Sequence, residues 1–459
     1  MWIRSRLFSY WAKNRSKAVS PTKQIVIIFA LIILTGALLL TLPAASRDGV
    51  SAGFRPALFT ATSATCVTGL VLFDTFTQWS GFGQVVIICL IEIGGLGFMS
   101  AATLVVFFLR RKIGLKQRLV MAQALSLNDI EGVVRLQKMV LIGSLSIETI
   151  GALILTARFL PEYGVLTALK WGFFHSVSAF CNAGFDIFGV LEPGSSLMLF
   201  QSDPVVLLTI SGLIIIGGLG FLVWEDVVTK RRFKNFSVYT KLVLLTTAML
   251  ILSGWFLTCL LEWNNPGTLG PMSVPDKLLN GFFQSVTLRT CGFAALDEAK
   301  LTEGAKAISM VYMLIGGSSG STAGGIKTVT FIVLLLFIAT RARGRENVTA
   351  FKRTIPQGQV MDAMTISFIM MMLAMIGGIF ISATSPITFT DALFEACSAL
   401  GTVGLTAGAT GFLSVPAQIL IIMYMYFGRV GVLTISLGFL MGNRAEERFR
   451  YATTNVLIG

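Results

Sequence analysis

The sequence predicts an all-α polytopic membrane protein: four repeats of span, half-helix, loop and span around a pseudo-fourfold axis. Three observations lead there. The 459 residues are 54% hydrophobic and only 13% charged, with a mean hydropathy of +0.79; soluble domains carry roughly 25% charged residues. Eight runs reach the length of about 20 apolar residues that a bilayer crossing takes. A short apolar motif built on glycine recurs four times at near-equal spacing.

The eight runs are 24–43, 83–109, 139–157, 205–224, 242–261, 307–340, 363–383 and 416–442. Four charges fall inside them: Glu92, Glu148, Lys327 and Arg429. Between the members of each pair lies a piece too short to cross, near 54–72, 168–187, 277–295 and 389–407. These pieces read as re-entrant half-helices followed by loops. With the N-terminus and every second loop on one side, that side holds 26 Lys/Arg against 8 Asp/Glu, and the other holds 8 against 13. The positive-inside rule puts both termini in the cytoplasm, and the half-helices dip in from outside.

The net charge of +13 therefore belongs to short loops against span ends, which excludes a nucleic-acid binder. Cys66, Cys89, Cys181, Cys259, Cys291 and Cys397 form no CxxC pair and sit in or beside apolar runs, as small hydrophobes do. A lone histidine, His175, leaves no zinc set and no Ser-His-Asp triad. The basic N-terminus (Arg4, Arg6, Lys13, Arg15, Lys17) precedes a run long enough to span, so no cleavable signal peptide is expected.

Aligned without gaps, the four motifs run Phe59 to Leu70, Phe174 to Phe185, Phe282 to Phe293 and Phe394 to Leu405. Each places Phe ten residues before a glycine and an apolar residue after it; the glycines are Gly69, Gly184, Gly292 and Gly404. The repeats divide the chain at 1–112, 113–234, 235–346 and 347–459. The second spans repeat as well: Ile93-Gly94-Gly95-Leu96-Gly97-Phe98 matches Ile216-Gly217-Gly218-Leu219-Gly220-Phe221. The third gives Ile315-Gly316-Gly317-Ser318-Ser319 and the fourth Phe427-Gly428-Arg429-Val430-Gly431. Close helix packing explains the glycines of units one and two; it is not expected to explain units three and four.

Irregular backbone survives at membrane depth only where it lines a cavity or is buried in protein. Four such loops facing one axis make a central pore. Each half-helix presents its partly negative C-terminal end to that axis, which favours a cation. Main-chain carbonyls in a ring replace a hydration shell, and glycine aims successive carbonyls one way because positive φ costs it little. Arg289 is the one formal charge in the loops, so selectivity falls to the backbone. That suits a monovalent cation better than Ca²⁺ or Mg²⁺, which want carboxylates.

On these motifs the chain resembles the Trk, Ktr and HKT potassium transporter superfamily over nearly its whole length. It most resembles the ion-translocating membrane subunit of the Ktr branch, with eight spans, no extra N-terminal pair, and an ending like Asn455-Val-Leu-Ile-Gly459. The resemblance implies a K⁺ filter of backbone carbonyls at Val67, Thr68, Gly69, Asn182, Ala183, Gly184, Thr290, Cys291, Gly292, Thr402, Val403 and Gly404. Serine at the first filter glycine marks the sodium-favouring HKT branch; Gly69 stands there, which implies potassium. It further implies potassium uptake in the bacterial plasma membrane, a homodimer, and control by a cytoplasmic nucleotide-binding ring subunit (KtrA-like), with nucleotide on that partner only. Docking would use Lys230-Arg231-Arg232 and Arg341-Ala342-Arg343-Gly344-Arg345, which also suit anionic lipid. Na⁺ stimulation, Na⁺-coupled K⁺ symport and Na⁺ uptake by the same pore stay open.

Gly316, Gly317, Ser318, Ser319, Gly320, Ser321, Thr322, Ala323, Gly324 and Gly325 interrupt the sixth span, ahead of Lys327. Such a run is a poor helix, and a broken helix fits beside a water-filled path. It is not a Walker loop, because Ile326 separates the last glycine from the lysine. In the resembling family the stretch is an intramembrane loop that obstructs the pore below the filter, acting with an arginine that matches Arg429. A charge in mid-span costs at least ~2.5–3.5 kcal/mol, so Arg429 is expected to face inward onto loop carbonyls or the cation path. Glu92 or Glu148 could lean on Lys327 or Arg429. His175 and Glu395 stand at equivalent half-helix positions and are expected in the outer vestibule or the half-helix packing. A secondary transporter would show two inverted halves, whereas these units share one orientation. An enzyme would need a nucleophile–base pair, which the sequence lacks.

Overall fold

The computed structural model describes residues 21–97 and 133–431. The basic N-terminus, residues 98–109 of the second predicted span, the bases at 110–132, residues 432–442 of the last span, the bases at 444–450 and Asn455 to Gly459 lie outside the described residues.

In chain order the first unit is α1 (Pro21–Thr41), α2 (Phe54–Cys66), the short α3 (Thr75–Gln78) and α4 (Gly81–Leu96). The second is α5 (Val133–Tyr163), α6 (Val165–Phe180), α7 (Pro204–Leu219) and α8 (Phe221–Lys230). The third is α9 (Val238–Glu262), α10 (Val274–Thr287), α11 (Glu303–Leu314) and α12 (Thr328–Ala342). A two-residue ribbon, β1 (Thr349–Ala350) with β2 (Arg353–Thr354), leads to α13 (Gln357–Thr384), α14 (Phe389–Gly401) and α15 (Val415–Val430).

The first helices of the units, α1, α5, α9 and α13, are long and apolar enough to cross a membrane. Their outward faces carry bare Leu38, Leu153, Phe256 and Phe368, as a helix side against lipid does. The half-helices α2, α6, α10 and α14 have 13, 16, 14 and 13 residues, about 20–24 Å at 1.5 Å per residue, too short to cross. They lie innermost. In α14 every residue from Phe394 to Gly401 is buried, and the small residues of α2 (Ala57, Ala61, Ser63, Ala64) let neighbours approach closely.

Each half-helix packs on the first helix of its own unit: α1 on α2, α5 on α6, α9 on α10, α13 on α14. The second helix of each unit packs on the half-helix of the next: α4 on α6, α7 on α10, α11 on α14, and α15 back on α2. The last contact closes the ring, which is the pseudo-fourfold arrangement read from the sequence. Side-chain N-caps start the second helices: Ser80, Asp203, Thr302 and Ser414 each accept a backbone N–H of the first turn.

Within the described residues the second spans are interrupted at glycines. The predicted span 205–224 is not one helix: α7 ends at Leu219, Gly220 adopts φ +93°, and α8 leaves at 92°. α4 ends likewise before Gly97 (φ +81°) and α15 before Gly431 (φ +92°). In the third unit the helix is absent from Ile315 to Lys327, as the composition predicts. Hydropathy runs smoothly through these breaks because Leu, Val and Phe flank them. Close packing at the glycines is not confined to units one and two. A Cβ at Gly94, Gly217 or Gly428 would collide with the carbonyl oxygen of Thr65, Phe180 or Leu400, each four residues before a motif glycine. Close approach therefore accounts for the fourth unit as well; in the third, Gly316 lies against Gly324 of its own loop.

Candidate functional site

The four motif loops meet at the C-terminal ends of the half-helices. Two residues before each motif glycine, the chain turns left-handed: Val67 (φ 56°), Asn182 (61°), Thr290 (67°) and Thr402 (51°). The glycines follow at φ 97°, 66°, 88° and 95°. Left-handed residues thus alternate with ordinary ones, which turns successive carbonyls toward the same side. Three of the left-handed residues are β-branched, a conformation costing on the order of 1–3 kcal/mol each and concentrated at functional sites.

The loops are held from behind. Thr68, Ala183 and Val403 donate their N–H to the carbonyls of Ser63, Ser178 and Ser398 at 2.7–2.8 Å, and Cys291 donates to Thr287 at 3.0 Å. Ser63 and Ser398 Oγ accept from the N–H of Gly69 and Gly404 at 3.1 and 3.0 Å. Ser178 Oγ and Thr287 Oγ1 donate to the carbonyls of Phe185 and Phe293, both at 2.7 Å. These bonds turn the N–H groups of Thr68, Gly69, Ala183, Cys291, Val403 and Gly404 into the scaffold.

The glycines show how the loops face one another. A Cβ at Gly69 would stand 2.6 Å from the carbonyl oxygen of Ala183. A Cβ at Gly184 would collide with that of Cys291, at Gly292 with that of Val403, and at Gly404 with that of Thr68. The succession runs through the units in order and returns to the first. One carbonyl from each unit therefore stands against the glycine of the unit before it, in a single closed ring.

On one side of the ring opens a cavity of about 280 Å³, lined by all four glycines and by Asp74, Asp186, Asp297 and Glu298. Burial, then the charge of Asp74, pushes the Asp186 carboxyl up to about 7. His175 and Glu395 act behind this mouth. His175 Nε2 accepts from Ile187 N at 3.2 Å, its Nδ1 lies 2.7 Å from Trp171 O, and its ring stacks on Phe188. Glu395 accepts the hydroxyls of Thr406 and Thr410. Both residues tie the loop after the motif to its half-helix.

On the other side the Gly/Ser run crosses directly beneath the ring. Gly324 lies against the Thr402 side chain and Gly316 against Thr290. Thr322 Oγ1 donates to Phe180 O, at the end of α6. The run begins and ends as a short bridge, Gly316 N to Ile326 O at 2.9 Å and Ile326 N to Leu314 O at 3.0 Å. Ser318 and Thr328 hydroxyls meet at 3.0 Å. Lys327 Nζ donates to Ala323 O at 2.8 Å.

Arg429 faces inward, as its position predicts. It donates to Thr322 O in the loop and to Gly94 O and Gly95 O on α4. The α4 acceptors were not legible in the sequence. They are end-of-helix carbonyls left without intrahelical partners by the break at Gly97, and a guanidinium is a favourable cap there. Glu92 and Glu148 pair with neither Lys327 nor Arg429. They flank Cys181 Sγ at 3.5 and 4.0 Å, at the seam of units one and two. Arg289 is buried behind the third loop, 3.4 Å from Thr247 Oγ1.

The family signature described as TrkH, cation transport protein, matches residues 7–447. The chain belongs to the TrkH family of cation transport proteins. Family members are ion transporters rather than enzymes. Among its relatives, the Ktr system potassium uptake protein B of Bacillus subtilis is 42% identical over 440 residues, covering 96% of this chain and 97% of that protein. The potassium/sodium uptake protein NtpJ of Enterococcus hirae is 40% identical over 452 residues, covering 97% and 99%. The crystal structure of the potassium transporter TrkH from Vibrio parahaemolyticus superposes with a TM-score of 0.73, at 17% identity, over 92% of this chain and 85% of that one. That likeness fixes the four-unit helical architecture as the family fold.

Proposed function

We propose that this chain takes up potassium across the bacterial plasma membrane through the carbonyl ring. Val67, Thr68, Gly69 and their counterparts in the other units replace the hydration shell of K⁺. The loop Gly316–Gly325, with Lys327 and Arg429, is the gate beneath it. The closed succession of carbonyl against glycine around four units carries the reading, since a carbonyl ring is what a weakly hydrated cation needs. The names of the B. subtilis and E. hirae relatives support potassium as the ion.

The chain works as a homodimer of four-repeat subunits, divided at 1–112, 113–234, 235–346 and 347–459. A cytoplasmic nucleotide-binding ring subunit opens it, docking on basic loops that also meet anionic lipid. Both termini are cytoplasmic. The word "system" in the name of the B. subtilis relative supports a partner.

The name of the E. hirae relative favours a second reading, in which Na⁺ enters by the same pore or stimulates K⁺ entry. Purified protein in liposomes, with K⁺ and Na⁺ gradients imposed separately, tests both. Uptake of K⁺ without a Na⁺ gradient is expected. Dependence on that gradient would favour coupling, and no cation flux in any condition would refute the pore.

A further inference from the structure

The gate loop is gripped from one side by a single surface hairpin. Phe221, the first residue of α8 after the 92° bend, donates its N–H to Gly320 O at 2.8 Å. Tyr239, in the first turn of α9, donates its hydroxyl to Ser319 O, also at 2.8 Å. A Cβ at Gly220 would stand 2.9 Å from the same Ser319 oxygen, so the bend itself lies against the loop.

The hairpin between these two anchors is clasped. Asp226 binds Lys230 Nζ at 2.6 Å and accepts Ser237 N at 2.8 Å, which joins α8 to the cap of α9. Ser237 Oγ in turn accepts Thr240 N, and Lys241 Nζ donates to Lys234 O at 2.8 Å. The tip between the anchors, Arg231 to Asn235, is exposed. Farther along the loop, Thr322 is held by α6, α7 and Arg429, and Ala323 and Gly324 by Lys327. Ser319 and Gly320 belong to the hairpin.

We propose that the α8–α9 hairpin is the handle of the gate loop, and that Tyr239 is the positioning residue joining the two. Displacing the exposed tip moves Phe221 and Tyr239 as one body, because Asp226 clasps them, and draws Ser319–Gly320 with it. The rest of the loop stays held until that edge has left. This inference rests on the reading of 316–325 as the gate.

The test uses the full chain in liposomes and basal K⁺ flux without any partner. Tyr239→Phe removes one hydroxyl and keeps the ring; Asp226→Asn weakens the clasp; shortening 317–324 removes the gate itself. Tyr239→Phe should raise basal flux by about threefold to fivefold, the effect of one net hydrogen bond on a two-state element. K⁺ over Na⁺ selectivity and detergent melting temperature should not change. Asp226→Asn should raise flux less, and Tyr239→Phe should add nothing to the shortened loop. If the shortened loop raises flux and Tyr239→Phe does not, the handle is overturned and the gate stands. If Tyr239→Phe lowers flux and melting temperature together, Tyr239 serves stability alone and the handle is overturned. If the shortened loop leaves flux unchanged, gate and handle fall together.

Discussion

Serine at Gly69 probes the carbonyl ring most directly. Gly69 sits at φ +97°, which an L-residue reaches at a cost on the order of 1–3 kcal/mol. Its new Cβ would stand 2.6 Å from Ala183 O and 3.4 Å from the Gly184 Cα. Carbon and carbonyl oxygen approach to about 3.3 Å, so the ring must give by roughly 0.7 Å on that side. The scaffold resists, because Ala183 N is bonded to Ser178 O at 2.7 Å behind it. If the distorted ring loses about 1.4 kcal/mol more of its binding to K⁺ than to Na⁺, K⁺ over Na⁺ preference falls tenfold. The assay is K⁺ uptake into liposomes against graded Na⁺, with Gly404→Ser as the companion variant and Gly212→Ala as control, since a Cβ there meets nothing within 4 Å. An unchanged ion ratio for folded serine variants at both Gly69 and Gly404 would refute the ring assignment.

Shortening 317–324 should raise basal K⁺ flux severalfold, and Arg429→Ala should act the same way less strongly. The double variant should not exceed the shortened one, since both act on one element; additive increases measured in liposomes would separate the arginine from the loop. Asp186, with its carboxyl near 7, is ionised at external pH 8 and largely protonated at pH 6. Acidifying the outside should therefore weaken apparent K⁺ affinity about two- to threefold, and Asp186→Asn should flatten that dependence; a pH profile identical in the variant would remove Asp186 from the vestibule's field. Glu in place of Arg231 and Arg232 should reduce co-purification with a cytoplasmic ring subunit while membrane insertion persists. Full retention would leave these bases to lipid alone.

The four-unit architecture was legible because each unit repeats a local signal. An apolar run of fixed length, then Phe ten residues before Gly, needs no knowledge of the rest of the chain. Hydropathy also marked the charges at Glu92, Glu148, Lys327 and Arg429 as exceptions, and the Gly/Ser composition of 316–325 announced a break. The bend at Gly220 was not legible, because the residues on both sides are apolar and glycine serves packing and bending alike.

By itself, then, the sequence determined which segments are buried in an apolar medium and where the backbone is free to leave the helix, both properties of neighbouring residues. The tertiary structure decided which carbonyl faces which glycine, as in Gly69 with Ala183 or Gly404 with Thr68. It also decided the left-handed turn at Val67, Thr290 and Thr402, which their own side chains disfavour and the Ser63, Thr287 and Ser398 bonds impose. And it chose the partners of Arg429, whose α4 acceptors lie 335 and 334 residues away. Those carbonyls exist as acceptors only because α4 stops at Leu96, and they are within reach only because α15 closes the ring onto the first unit.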